Sequence, residues 1–171
     1  MSLISLPVYS SKIELTCESV DTISYKSHTY LNTRHGYTKG LEQDFCLFLS
    51  SDESKSALVS KQALLSENPS IAATYLLKGL DLTDFPPGHP NNPGADFCQR
   101  LKGTSLAFYG DGGFQSKYGL DEVCMFADGS AVSIWAIIRR TLDEKYLGIK
   151  DKVQSKHLEL DLPYLKIVFI K

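Results

Sequence analysis

The sequence has no apolar run of the roughly 18 residues that a membrane-spanning helix needs. It has no basic block either. Its 18 Lys and Arg stand against 20 Asp and Glu, and neutralising a phosphate backbone takes clustered cations, so no nucleic-acid partner is expected. No two cysteines stand in the close spacing of a structural zinc site. Neither a GxxxxGKS/T loop nor a GxGxxG turn between strand and helix is present, which removes the common phosphate-binding devices. Asp111 before Gly112-Gly113 and Asp128 before Gly129 are single acids in turns, whereas a calcium loop supplies several oxygen ligands at alternating positions. No metal and no cofactor is expected.

What is there is a chain of 171 residues, enough for one domain, or two small ones closely packed, with a real core. Its start, Met1-Ser2-Leu3-Ile4-Ser5-Leu6-Pro7, lacks the basic and long apolar segments of a signal peptide. Either the protein is cytosolic, or Met1-Ser2-Leu3 is a scar standing where an export leader has been removed. Four cysteines bear on that choice. Cys17 and Cys46 fall in the first third, Cys98 and Cys124 in the central stretch, which suits local bridges Cys17–Cys46 and Cys98–Cys124. Each closed loop would stabilise its half by about 3 kcal/mol in the chain-entropy view. The alternative is four buried free thiols acting as small hydrophobes; the even count and short length favour bridges.

Alternating apolar residues predict strands over 12–17 (KIELTC), 23–31, with Ile23, Tyr25 and Tyr30 packing, and 43–50. Asn32 to Gly36 reads as a turn between the first two long ones. Phe45, Leu47 and Leu49 alternate with Cys46 and Phe48, so the third strand is apolar on both faces and central. Ser51-Asp52-Glu53-Ser54 then reads as a capped helix start, with Ala57, Leu58, Gln62, Leu64 and Leu65 along it. A second helix is predicted over 70–78, stopped by Gly79. The proline-rich connection 80–94, which contains His89, marks the boundary between an N-terminal β-rich lobe with a helical segment, 1–85, and a second lobe, 86–171, the two forming one compact unit.

The stretch Asn92 to Arg140 organises the second lobe. A short helix over 95–101 ends at Lys102-Gly103, and strands follow at 105–109 and 122–126. Turns at Gly110-Asp111-Gly112-Gly113 and Ala127-Asp128-Gly129-Ser130 flank the second of these strands, and 131–140 continues as strand or helix. A final strand is expected over 164–170. The order Asn92-Pro93, Cys98, a glycine-bearing segment, Cys124, Phe126, Asp128-Gly129-Ser130 and Trp135-Ala136 resembles a small exported bacterial domain that carries a hemolysin label. The likeness spans roughly residues 92–140. Gly94 stands where that family has Ala, Lys102-Gly103 replaces a Gly pair, and Ala131 and Val132 occupy the place of a further cysteine. The resemblance implies export, a structural Cys98–Cys124 bridge and a module without catalysis. The label itself carries no mechanism.

Two function classes follow. The first is a secreted, periplasmic or lipoprotein-like bacterial binding or inhibitor-like module, whose partner is a protein or a cell-envelope component. Tyr25, Tyr30, Tyr37, Phe108, Tyr109, Phe114 and Tyr118 supply aromatic area in strands and turns, and rigid aromatics bind at low entropy cost. Most of them suit a core; Phe114 and Tyr118, among glycines, suit it least, so Tyr109, Asp111, Phe114 and Tyr118 form the expected contact surface. The second class is a cytosolic cysteine-dependent hydrolase, with Cys98 as nucleophile and His89 as base. No signature surrounds either residue. The expected fold is α+β, mostly antiparallel β-sheet with two or three short helices.

Overall fold

The computed structural model describes residues 13–80, 93–110, 120–158 and 160. Six strands dominate it: β1 (Ile23–Thr33), β2 (Gly36–Leu49), β3 (Ser56–Ser60), β4 (Thr104–Gly110), β5 (Leu120–Met125) and β6 (Ala131–Ser133). All neighbours run antiparallel, in the order β1-β2-β3-β6-β5-β4, and β4 pairs back onto β1 to close a barrel. The α-helices are α1 (Lys61–Leu65), α2 (Ile71–Lys78), α3 (Pro93–Arg100), α4 (Ile134–Leu142) and α5 (Ile149–Lys152).

This corrects the expected α+β arrangement of a mostly antiparallel sheet with two or three short helices. The sheet has closed on itself, and the described residues hold five α-helices. The closure lies in two register pairs, Ser27 with Gly110 and His28 with Tyr109, and period-two patterning within a strand says nothing about which distant strand completes the ring. α1 and α5, at five and four residues, are too short to show a helical period.

Closure creates two cores. Phe45, Leu47, Leu58, Phe108, Val123 and Ala131 fill the barrel, with the Phe45 and Phe108 rings edge to face at 5.2 Å. The second core lies outside, between barrel and helices. Its backbone is a register row across four strands, Cys46–Val59–Val132–Cys124, every member fully buried. Ala63, Leu64, Ala72, Tyr75, Leu76, Phe97 and Ile137 pack onto that side from the helices. The double-sided pattern of 43–50 is thereby explained: Phe45 and Leu47 face the barrel, Cys46 and Phe48 the helices.

Disulfides Cys17–Cys46 and Cys98–Cys124 stand at the two ends of the row. The first ties residues 13–22 to β2, and the second ties α3 to β5. The narrow β3–β6 seam has a single register pair, Val59 with Val132, and serine hydroxyls complete it. Ser133 Oγ accepts from Leu58 N at 2.7 Å, and Ser60 Oγ accepts from Ala131 N at 3.0 Å while also capping α1 through Ala63 N.

Local readings divide. Ser70 and Gly79 bound α2 as predicted, Ser70 Oγ accepting from Ala73 N. The predicted strand over 12–17 is absent from its described part: residues 13–16 are irregular, a 3-10 turn follows at Glu18–Val20, and Ile13 is 85% exposed. Ile23 is also half exposed rather than packed. The predicted helix start at 51–54 is a turn, in which Asp52 accepts from Ser50 Oγ, Ser54 N and Ser54 Oγ, and it leads into β3 instead. Residues 131–140 are both alternatives in sequence, β6 and then α4. The predicted strand 164–170 lies outside the described residues.

Candidate binding face

The helices pack on β2 through β6, and among the described elements none packs comparably on β1. Among the described elements, β1 is therefore the strand of the barrel with the least helical cover. β1 and β2 form a long hairpin in which residues 31 to 39 are all exposed. Thr33 Oγ accepts from His35 N and donates to Gly36 O at its tip.

Halfway along this hairpin the ladder breaks. His28 pairs with Glu42 and Tyr30 with Lys39, so Gly40 and Leu41 together oppose Thr29. That two-against-one count is a β-bulge. Leu41 N donates to Thr29 Oγ1 at 2.9 Å. A Cβ on Gly40 would fall 2.5 Å from the same oxygen, so only glycine fits there.

Beside the bulge opens a cleft of about 240 Å³. Lys26, Lys39, Glu42 and Asp44 bring two charges of each sign to it, and Ser27 and His28 line it as well. Ser27 and His28 are 3% and 4% exposed. Ser27 Oγ and His28 Nε2 are both buried without a hydrogen-bond partner, and so are not bonded to each other. A serine activated by this histidine would need that bond.

An aromatic strip adjoins the cleft. The Tyr30 ring lies 4.8 Å from His28 in an edge contact and 5.0 Å from Tyr109, and Tyr37 lies 6.3 Å from Tyr30. Tyr37, at 65% exposure, is the most open of them. β1 supplies Tyr30 and His28, β2 supplies Tyr37, and β4 supplies Tyr109, held opposite His28 by the closing register. No family model, no curated protein and no solved structure matches the chain. The face must be read from its own chemistry.

Of the residues singled out from the sequence, Tyr109 joins this strip. Asp111, Phe114, Tyr118 and His89 lie outside the described residues. Tyr25 and Phe108 belong to the barrel interior. Cys98 is bonded to Cys124, so it carries no thiol in this state. The Asp128-Gly129-Ser130 turn is a clasp: Asp128 Oδ2 accepts from Ile71 N at 2.8 Å, and Ser130 Oγ accepts from Ala72 N at 3.0 Å, together holding the start of α2. Sequence reasoning missed the cleft's Lys26, Ser27, Lys39, Glu42 and Asp44. A glycine at position 40, inside a strand pattern, was the available signal, since it marks a bulge or a close approach.

Proposed function

We propose that the chain is an exported bacterial, non-enzymatic binding or inhibitor-like module whose contact surface is the β4–β1–β2 face. The observation that carries this reading is the strip of Tyr109, Tyr30 and the exposed Tyr37 beside a polar cleft, on a barrel that two disulfides tie to its surrounding segments. Rigid tyrosines on a scaffold give large contact area with little ordering entropy. The disulfides fit an extracellular or periplasmic setting. The likeness to the hemolysin-labelled exported domain supports the same setting, and its motif residues Cys98, Cys124 and Asp128 serve the scaffold. The partner is a protein or a cell-envelope component. The cysteine-hydrolase alternative gains nothing from the geometry, since its nucleophile is held in a disulfide.

Binding to cell-envelope fractions tests the reading. Tyr30→Ala/Tyr37→Ala is expected to lose binding at least tenfold, about 1.4 kcal/mol. Phe114→Ala/Tyr118→Ala tests whether the contact extends past the end of β4. Wild-type binding by both variants would remove this face from the account.

A further inference from the structure

We infer that the cleft beside the β1–β2 bulge is a saccharide subsite, taking one neutral, polyhydroxylated sugar unit of an envelope glycan. The inference rests on reading the β4–β1–β2 face as a binding surface, and names the chemistry of its ligand.

The first ground is a bare polar atom. Buried polar groups nearly always have a partner, yet His28 Nε2 has none, and His28 lines the cleft on the face of β1 that also carries Tyr30. Ser27, the preceding residue, points to the opposite face of the strand. A hydroxyl-bearing ligand satisfies the imidazole nitrogen, which donates or accepts according to its tautomer.

The second ground is the charge balance. Lys26 and Lys39 face Glu42 and Asp44 around the same cleft. Among the described residues, no ion pair or side-chain hydrogen bond joins these four to one another. An anion drawn by the lysines meets the carboxylates, and a cation drawn by the carboxylates meets the lysines. A sugar hydroxyl accepts from an ammonium and donates to a carboxylate, so a neutral polyol engages all four heads with no charge opposed.

The third ground is size and neighbourhood. Clefts for drug-sized ligands start near 300 Å³ and are mostly apolar; this one, at about 240 Å³, is smaller and lined by polar side chains. It suits one sugar unit. Tyr30, in contact with His28, and Tyr109 and Tyr37 beside Tyr30 offer ring surface to the C–H faces of the units that follow.

The test uses the intact, oxidised chain. Backbone amide shifts are followed by NMR against glucose, galactose, mannose and N-acetylglucosamine and a linear trimer of each, with sodium acetate and ethylammonium chloride as ionic probes. At least one trimer is expected to shift the amides of residues 26–28 and 39–44 saturably. Glu42→Gln/Asp44→Asn changes two exposed side chains and is expected to weaken that binding about tenfold, in line with hydrogen bonds to charged groups. No response at these amides, unchanged binding by the double variant, or equal binding of either ion would overturn the inference.

Capture of envelope material separates the two readings. Loss of capture after periodate treatment of the material, with capture kept after proteinase treatment, is expected. Loss after proteinase alone overturns the sugar assignment and leaves the binding module standing with a protein partner. No capture of untreated material overturns the binding module itself.

Discussion

At Lys102-Gly103 two adjacent residues have exchanged the roles that helix grammar gives them. Lys102 takes the left-handed conformation, with φ at 63°, while Gly103 is required for space. A Cβ on Gly103 would lie 2.3 Å from Cys124 Sγ and 2.9 Å from Cys98 Sγ. Gly103→Ala is therefore expected to destabilise by about 1–3 kcal/mol through overpacking and to slow bridge formation, as read by urea unfolding and non-reducing mass mapping. Lys102→Gly relieves backbone strain and is expected to be neutral or stabilising by up to about 1 kcal/mol. The serines of the β3–β6 seam make a second residue-scale case. Ser60→Ala leaves Ala131 N without its acceptor inside the protein, so a loss of about 1–3 kcal/mol is expected, again from urea midpoints. Acid sensitivity is also local. The hydroxyl of Ser50, then that of Ser54 and its amide, hold the Asp52 carboxyl down from 3.8 to about 2. A depressed carboxylate stabilises the fold above its unfolded pKa and loses that contribution as pH falls through its folded one. Stability is therefore expected to drop between about pH 4 and pH 2, and Asp52→Asn to flatten that drop in urea midpoints taken across the range.

The elements show which parts of the sequence spoke for themselves. α2 was legible because its signals are local: Ser70 caps it and Gly79 ends it. β2 was legible as a central strand because each of its faces meets a different core. The segment 12–17 misled because alternation in KIELTC mimics a half-buried strand, while Cys17 is tied to Cys46 and Thr16 and Ser19 bond each other through side chain and backbone. Asp52 misled because the same residue types cap helices and close turns. The bulge escaped because its meaning depends on Thr29, a residue across the ladder. Gly40→Ala is expected to disturb the hairpin register at Thr29 and to change amide exchange along residues 26–31 and 38–43. The bridges are also features of elements, since Cys98–Cys124 holds α3 against β5. Cys98→Ser/Cys124→Ser is expected to cost about 2–5 kcal/mol.

On the scale of the whole molecule, one row of four buried side chains, bounded by two disulfides, forms the base on which the helices pack, and among the described elements no helix packs comparably on β1. The cysteine distribution in the sequence pointed to these pairs, but the closing contact of β4 on β1 was not legible, because it joins strands far apart in the chain through two register pairs. The aromatic strip depends on that closure: Tyr109 of β4 reaches Tyr30 and stands opposite His28 only once the ring is complete. The account's central claim is that the face around the β1–β2 hairpin is where a partner binds. Replacing Tyr37 by a benzophenone-bearing phenylalanine, and Leu142 of α4 likewise, places photo-crosslinkers at two exposed positions, one on the hairpin and one on the helical side. Irradiation with cell-envelope material is predicted to yield adducts from position 37 and none from position 142. Adducts from position 142 alone, or equally from both, would contradict the account.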